Sequence, residues 1–208
     1  IWETKNAKHM TNASGMSMMA LSLAACGGGG SAPAPVVVVD PAPVVEVVPI
    51  EVELKIRNDT ISGTTADDVV TGARIDTVQV FNSGDSIALG DGNDSLSATL
   101  NAGTVAPVAM TGVENVMFTA LGVATVDFDN VSGVTSIISR GSSATLLVDD
   151  IQEIPTSISV NNNTAAQTFV VKDTAVSGNE DSITLNFDGV GGVVNVGGET
   201  DGDGDIET

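Results

Sequence analysis

Along most of its length the chain alternates between an apolar, often β-branched side chain and a Ser or Thr, and no such run is long. Thr77–Phe81, Val116–Thr119, Ala124–Phe128, Thr135–Ser139, Ala144–Val148, Ser157–Val160, Thr168–Val171 and Ser182–Phe187 each carry Val, Ile, Leu or Phe at period two. Period two sends alternate side chains to opposite faces, so each run is predicted to be a strand with one buried face. Clusters such as Asn82-Ser83-Gly84 and Asn161-Asn162-Asn163 separate the runs, and these residue types tolerate turn geometry. Long charged side chains of the kind that clothe helices are scarce. The chain is therefore expected to be all-β. Strands at this spacing suit a β-solenoid or β-roll-like stack of repeats, with a β-sandwich as the alternative. Aromatics make up only 3% of residues, and the single Trp, Trp2, lies far from the runs. A sandwich would want a large central aromatic, so stacked layers of small β-branched residues are the leading expectation.

Charge and residue inventory remove several functions. The 208 residues hold 27 acidic and 7 basic side chains, a formal charge of -20. Neutralising phosphates needs clustered Lys and Arg, so no nucleic-acid partner is expected, and anionic headgroups are disfavoured likewise. One His (His9) and one Cys (Cys26) leave a His-based triad, a Cys–His dyad and a His/Cys zinc site without parts. No nucleophile stands beside a base, and the chain is read as a non-enzyme. The carboxylate pairs Asp149-Asp150 and Asp127/Asp129 would serve glycoside hydrolysis in principle. At strand ends such pairs read instead as solvated turn residues.

Near the start, Lys5, Lys8 and His9 precede an uncharged stretch from Met16 to Ala25 that ends in Leu23-Ala24-Ala25-Cys26-Gly27. A basic region, a short apolar run and small residues before a cleavage point make a secretory leader, too short for a membrane span. With Cys directly after the small residues, the pattern resembles the lipobox of bacterial lipoproteins. That resemblance implies cleavage after Ala25, acylation of Cys26, and, with Gly27 next, a Gram-negative outer membrane. The alternative is an ordinary apolar stretch followed by an unmodified Cys. Residues 1–25 are thus expected to be a signal peptide and 26–50 a Gly/Pro/Val-rich linker, both disordered. The prolines favour an extended spacer over a first strand at Val36–Val39. Ile1 in place of Met is read as an upstream truncation.

The body, 51–208, is expected to be a tandem array. Asp85-Ser86-Ile87-Ala88-Leu89 recurs as Asp181-Ser182-Ile183-Thr184-Leu185, an offset of 96 (181 less 85). Gly112-Val113-Glu114-Asn115 is answered by Asp205-Ile206-Glu207-Thr208, and Thr77–Val80 by Thr168–Val171. Ordered landmarks at near-constant spacing suggest one complete unit of about 95 residues and the start of another, cut short downstream.

Gly90-Asp91-Gly92-Asn93-Asp94-Ser95-Leu96 resembles the calcium-binding RTX nonapeptide Gly-Gly-x-Gly-x-Asp-x-U-x. The resemblance implies that Gly90 and Gly92 turn the chain and offer carbonyls, that Asp94 is a carboxylate ligand, and that Leu96 points inward. Leu89 stands where that family has its first glycine. Ca²⁺ wants six to eight oxygens, more than one nonapeptide supplies. The expected site combines Asp91, Asn93 and Asp94 with help from Asp67, Asp68 or Asp85, where Asp67 belongs to the looser match Ser62–Val69. A hydrated Asp/Gly turn without metal is the alternative. A second candidate, Asp201-Gly202-Asp203-Gly204-Asp205, resembles the opening of an EF-hand loop, but Ile206 replaces its sixth-position Gly.

From about Asp59 onward, the Asp-Ser-Ile starts, the Gly-Asp-Gly-Asn-Asp turn, Gly112–Val116 and the cadence of Ala124–Ile137 together resemble bacterial S-layer and RTX-type surface proteins. The resemblance implies a secreted, cell-surface, structural or adhesive protein of calcium-stabilised β-repeats, acting by binding and display. Its expected partners are the outer membrane through the lipid anchor, neighbouring repeats or other copies, and a cell-surface or glycan ligand. The alternative is a secretion or carrier segment of a larger enzyme with its catalytic domain beyond Thr208.

Overall fold

The structure, a computed structural model, describes residues 46–176 and 181–198, all within the unit Val44–Thr208. The expected leader, Cys26, most of the linker, and Asp201, Asp203 and Asp205 lie outside the described residues. Within them the protein is all-β. In chain order the strands are β1 (Glu51–Glu53), β2 (Thr60–Ser62), β3 (Val69–Gly72), β4 (Ser86–Ala88) and β5 (Ser95–Leu100). There follow β6 (Gly103–Val105), β7 (Ala109–Thr111), β8 (Asn115–Ala120), β9 (Ala124–Asp127) and β10 (Ser136–Arg140). The last are β11 (Leu146–Ile151), β12 (Ser157–Asn161), β13 (Gln167–Val171), β14 (Thr184–Asp188) and β15 (Val194–Gly198).

Three sheets result, ordered β1-β3-β5-β8-β10-β12-β14, β15-β13-β11-β9-β6 and β2-β4-β7. Pairing between these strands is parallel throughout. From β8 onward the chain alternates strictly between the seven- and five-stranded sheets. Period-two sequence is what this pairing needs: β5 and β8 bury every second residue, and in-register partners put like side chains above one another.

The core is a set of such rows. Val70, Leu96, Val116, Ile137 and Ile158 are register partners, and all are buried. Full burial of each side chain is worth about 1.5–3 kcal/mol. The next inward row runs Gly72, Ala98, Phe118, Ser139, Val160 and Phe187. Small residues at its start leave room for rings. Phe81 and Phe118 stack with centroids 6.2 Å apart, and Phe118 meets Phe128 edge-on at 6.3 Å.

Of the expected strands, Thr77–Phe81 does not form one. Ile75 and Val78 exchange backbone hydrogen bonds of 3.1 and 2.9 Å across a tight turn, with Asp76 at φ 56°. The amides of Gln79 and Asn82 then donate to the Phe81 and Val80 carbonyls. Local side-chain bonds thus take backbone partners that a sheet would have used, while Val80 and Phe81 remain buried. The two Asp-Ser-Ile segments also take different places, one entering β4 of the three-stranded sheet and the other leading to β14 of the seven-stranded sheet. Hydrogen-bonded neighbours recur at separations from 17 to 28 residues, the spacing of adjacent strands.

Candidate metal-binding corners

The acidic residues of the turns are arranged in rows as regular as those of the core. The residues immediately before β1, β3, β5 and β8 are Ile50, Asp68, Asp94 and Glu114. Each carboxylate accepts the backbone N–H of the residue in the preceding layer. Ile50 N–H donates to Asp68 Oδ1 at 2.7 Å, Asp68 N–H to Asp94 Oδ1 at 2.6 Å, and Asp94 N–H to Glu114 Oε2 at 2.7 Å. At the next place Thr135 takes over, and its hydroxyl and N–H both donate to the Glu114 carbonyl. A second row stands before the three-stranded sheet. Lys55 N–H donates to Asp59 Oδ2 at 2.7 Å, and Asp59 N–H to Asp85 Oδ1 at 2.9 Å.

Asp59, Asp68, Asp85 and Asp94 are all buried, yet they are not equally satisfied. For Asp68, burial raises the pKa, but hydrogen bonds from Ile50 N–H, Thr64 N–H and the Thr64 hydroxyl outweigh it, and the carboxyl lies below the usual range. For Asp94, burial raises the pKa, the single N–H of Asp68 opposes it, and the charges of Asp68, Glu114 and Asp67 raise it further. Its Oδ2 is buried without a hydrogen-bond partner. Burial likewise raises Asp85, against N–H donation from Asn82 and Asp59.

The expected ligand turn is therefore divided between solvent and interior. Asp91 and Asn93 are exposed, whereas Asp94 points inward. Gly90 and Gly92 have positive φ, 102° and 140°. Gly92 also lies so near the turn of the preceding layer that a Cβ would stand 2.7 Å from the Ala66 carbonyl oxygen. That preceding turn holds Asp67, whose Oδ1 accepts Asn93 N–H at 2.9 Å, while Asn93 Oδ1 accepts from the Asn115 amide. Asp67, Asn93 and Asn115 are thus brought together at the surface, and Asp68, Asp94 and Glu114 beneath them.

Among the described residues, a different group brings three carboxylates together. Asp127, Asp129 and Asp150 present oxygens all within 4.8 Å of one another, a group that could hold a metal ion. The irregular register between Val148 and Ile151 and the positive φ of Asp150 mark a bulge in β11, a feature that re-aims a side chain. Asp127 and Asp149 are direct register partners. Burial first, then the charges of Asp150, Asp127 and Asp129, raise the Asp149 pKa. Lys172 Nζ stands 2.8 Å from Asp129 Oδ1 and 3.8 Å from Asp150 Oδ1, so an ammonium already answers part of this charge. Ca²⁺ there would draw on three carboxylates and need further oxygens to fill its shell.

Sequence reasoning missed Glu114 and Asp59 as members of the buried rows and did not join Asp150 to Asp127 and Asp129. A signal for the rows existed: the contacts of Asp59 with Asp85, Asp68 with Asp94, and Asp67 with Asn93 all span 26 residues. The grouping of Asp150 depends on a bulge, which leaves no such mark. Comparison with protein-family models, with curated proteins and with solved structures finds no match to this chain.

Proposed function

We propose that the chain is a β-solenoid scaffold segment of a surface-anchored structural or adhesive protein, stabilised by calcium and acting by binding and display. The observation that carries this reading is the seven-stranded parallel sheet, in which the chain returns to the same register again and again with its inward rows aligned. Parallel return of this kind needs a crossover for every strand. A stack in which each layer buries its apolar face on the next gains stability by length. The perturbed carboxylates suit this role, because Asp68, Asp85 and Asp94 hold backbone N–H groups of neighbouring layers. Calcium enters the proposal through the Asp127/Asp129/Asp150 group and the formal charge of -20, which opposes compaction until cations relieve it. Cys26 supplies the anchor in this reading.

The test uses intact Gram-negative cells producing the chain. Labelled palmitate is expected on Cys26, and the body is expected to be open to added protease. Both are expected to be lost in Cys26→Ser. A body untouched by external protease in the native chain would refute surface display. For the metal, calorimetry in Ca²⁺ and in EGTA should show a lower melting temperature under EGTA, and equal melting temperatures would remove calcium from the account.

A further inference from the structure

Among the described residues, the buried neutral polar side chains are Ser139, Ser142, Asn163 and Gln167, and they bond to one another. Ser139 is the polar member of its inward row, between Phe118 and Val160. Gln167 opens β13 as the register partner of Leu146 and Val194. The two larger sheets meet through this pair, the Ser139 hydroxyl donating to Gln167 Oε1 at 2.7 Å. Asn163 Nδ2 donates to Ser139 Oγ at 2.8 Å, and Asn163 Oδ1 accepts Ser142 N–H at 2.8 Å. Ser142 Oγ accepts Ala120 N–H at 2.9 Å and lies 3.0 Å from Ser139 Oγ. Since the Ser139 proton is committed to Gln167, Ser142 is the donor in that last bond. Gln167 Nε2 donates to the carbonyls of Ala144 and Ala165. One arrangement of protons satisfies all of these groups, as a buried polar network requires. We propose that this network is a register lock, holding β10–β13 against a slip of two residues that their apolar rows alone would accept.

Period two specifies register incompletely. A slip of one residue turns a strand inside out, but a slip of two returns every inward side chain to the interior. Moving β10 by two would set Ile137 beside Phe118 and Val160 in place of Val116 and Ile158, apolar on apolar again, and the backbone ladder would re-form. The network would not survive. Ser139 would travel about 6.6 Å along the strand, leaving Gln167 Oε1 buried without its donor, and a buried polar group without a partner opposes the slipped state. The place of the network in the fold fits this role. The row of carboxylates that ties each layer to the one before runs through Asp68 and Asp94 and ends at Glu114, and the three-stranded sheet ends at β7. The network begins at Ala120, the last residue of β8, and continues past the ends of β10 and β12 through Ser142 and Asn163. Strands beyond the carboxylate row are thus tied by a neutral row at their opposite ends.

Neither calcium nor the anchor takes part, so the full chain is tested in EGTA by amide NMR, in which each register gives its own set of cross-peaks. The native chain is expected to show one set for β10–β13, with Ile137 in contact with Ile158. Ser139→Ala combined with Gln167→Met removes the pair that joins the sheets and leaves Ser142 and Asn163 on their backbone partners. That double variant is expected to add a second set for β10–β13, in which Ile137 contacts Val160, while β3 and β5 keep one. In urea, the midpoint losses of Ser139→Ala and Gln167→Met taken singly are expected to sum to more than the loss of the double variant, because each deprives the other's partner of its bond. A double variant with one set and the native Ile137–Ile158 contact, or strictly additive losses, would overturn the proposal. Hydrogen exchange in the native chain tests it with no substitution at all. The N–H groups of Ala120 and Ser142 are expected to exchange as slowly as the ladder amides of β10 and β12, and exchange as fast as at exposed turns would overturn the proposal equally.

Discussion

Phe118 and Phe187 occupy the same inward row, three strands apart in the seven-stranded sheet, so truncating each isolates the effect of position. Phe118 is fully buried, with Ala98 and Ser139 as register neighbours and the rings of Phe81 and Phe118 and of Phe128 in contact. Its register neighbours Ala98 and Ser139 are held by backbone ladders and cannot collapse into the gap, so Phe118→Ala should cost about 3–5 kcal/mol. Phe187 is 52% exposed at the end of the row. Water can fill the space it leaves, so only about half of a full burial is lost, about 1 kcal/mol. Urea denaturation at low protein concentration, with the slope held constant to show that the unfolded state is unchanged, reads both losses as shifts in midpoint. A Phe187→Ala loss equal to that of Phe118→Ala would show that Phe187 is as covered as Phe118, contrary to the exposure described. A Phe118→Ala loss under about 1 kcal/mol would show a core loose enough to relax, contrary to the packing described.

Gly92→Ala should destabilise by about 1–3 kcal/mol, because φ is 140° and the added Cβ meets the Ala66 carbonyl oxygen at 2.7 Å. A melting temperature equal to that of the native chain would mean that the turn does not lie against its neighbour. The pH profile in EGTA should peak near the ordinary aspartate value of 3.8, since Asp85, Asp94 and Asp149 are raised above it. Groups raised in the folded state favour folding while protonated, so their contribution falls as pH rises from that value through their folded values. Asp68 is lowered, so its contribution is complete above 3.8 and is lost only as pH falls through its depressed folded value. Asp94→Asn should flatten the decline toward neutrality, and a native melting temperature that climbs steadily from about pH 4 to about pH 7 would contradict the assignment.

The fold class was legible because period-two alternation is local. Leu96, Ala98 and Leu100 alternate with Ser95, Ser97 and Thr99 in the sequence, and β5 buries the first set. Thr77–Phe81 shows the limit of that signal. Its alternation is real, but Gln79 and Asn82 hold the carbonyls that a ladder would need, a competition visible only once the chain is folded. In the corner, the glycines and Asp94 were legible as turn chemistry, yet the sequence did not say which acids face inward. Asp91 and Asp94 look alike in a Gly-Asp-Gly-Asn-Asp string, and only the register of β5 buries the second. The grouping of Asp127, Asp129 and Asp150 needed the bulge in β11 and was out of reach for the same reason.

The inward acids answer a problem that parallel pairing creates. In a parallel sheet the residue before each strand has a backbone N–H facing the neighbouring layer, beyond the regular ladder, and burial without a partner is costly. A carboxylate one layer on can reach back to that N–H, as Asp68, Asp94 and Glu114 do in succession. An Asn could supply one oxygen for such a bond, as Asn163 does beyond the end of β10 for Ser142 N–H at 2.8 Å. The acid differs in having a second oxygen that accepts. On Asp68 that oxygen takes Thr64 N–H and pins the turn, whereas on Asp94 it takes nothing. The negative charge of the corner is thus partly a consequence of pairing strands in parallel and only partly available to a metal. It follows that Asp94→Asn should spare the layer contact through its remaining oxygen, while Asp68→Asn should loosen the turn at Thr64. Amide exchange at Asp68 and Thr64 separates the two: fast exchange at Asp68 N–H in Asp94→Asn would mean that the second oxygen, not the first, holds the layers together.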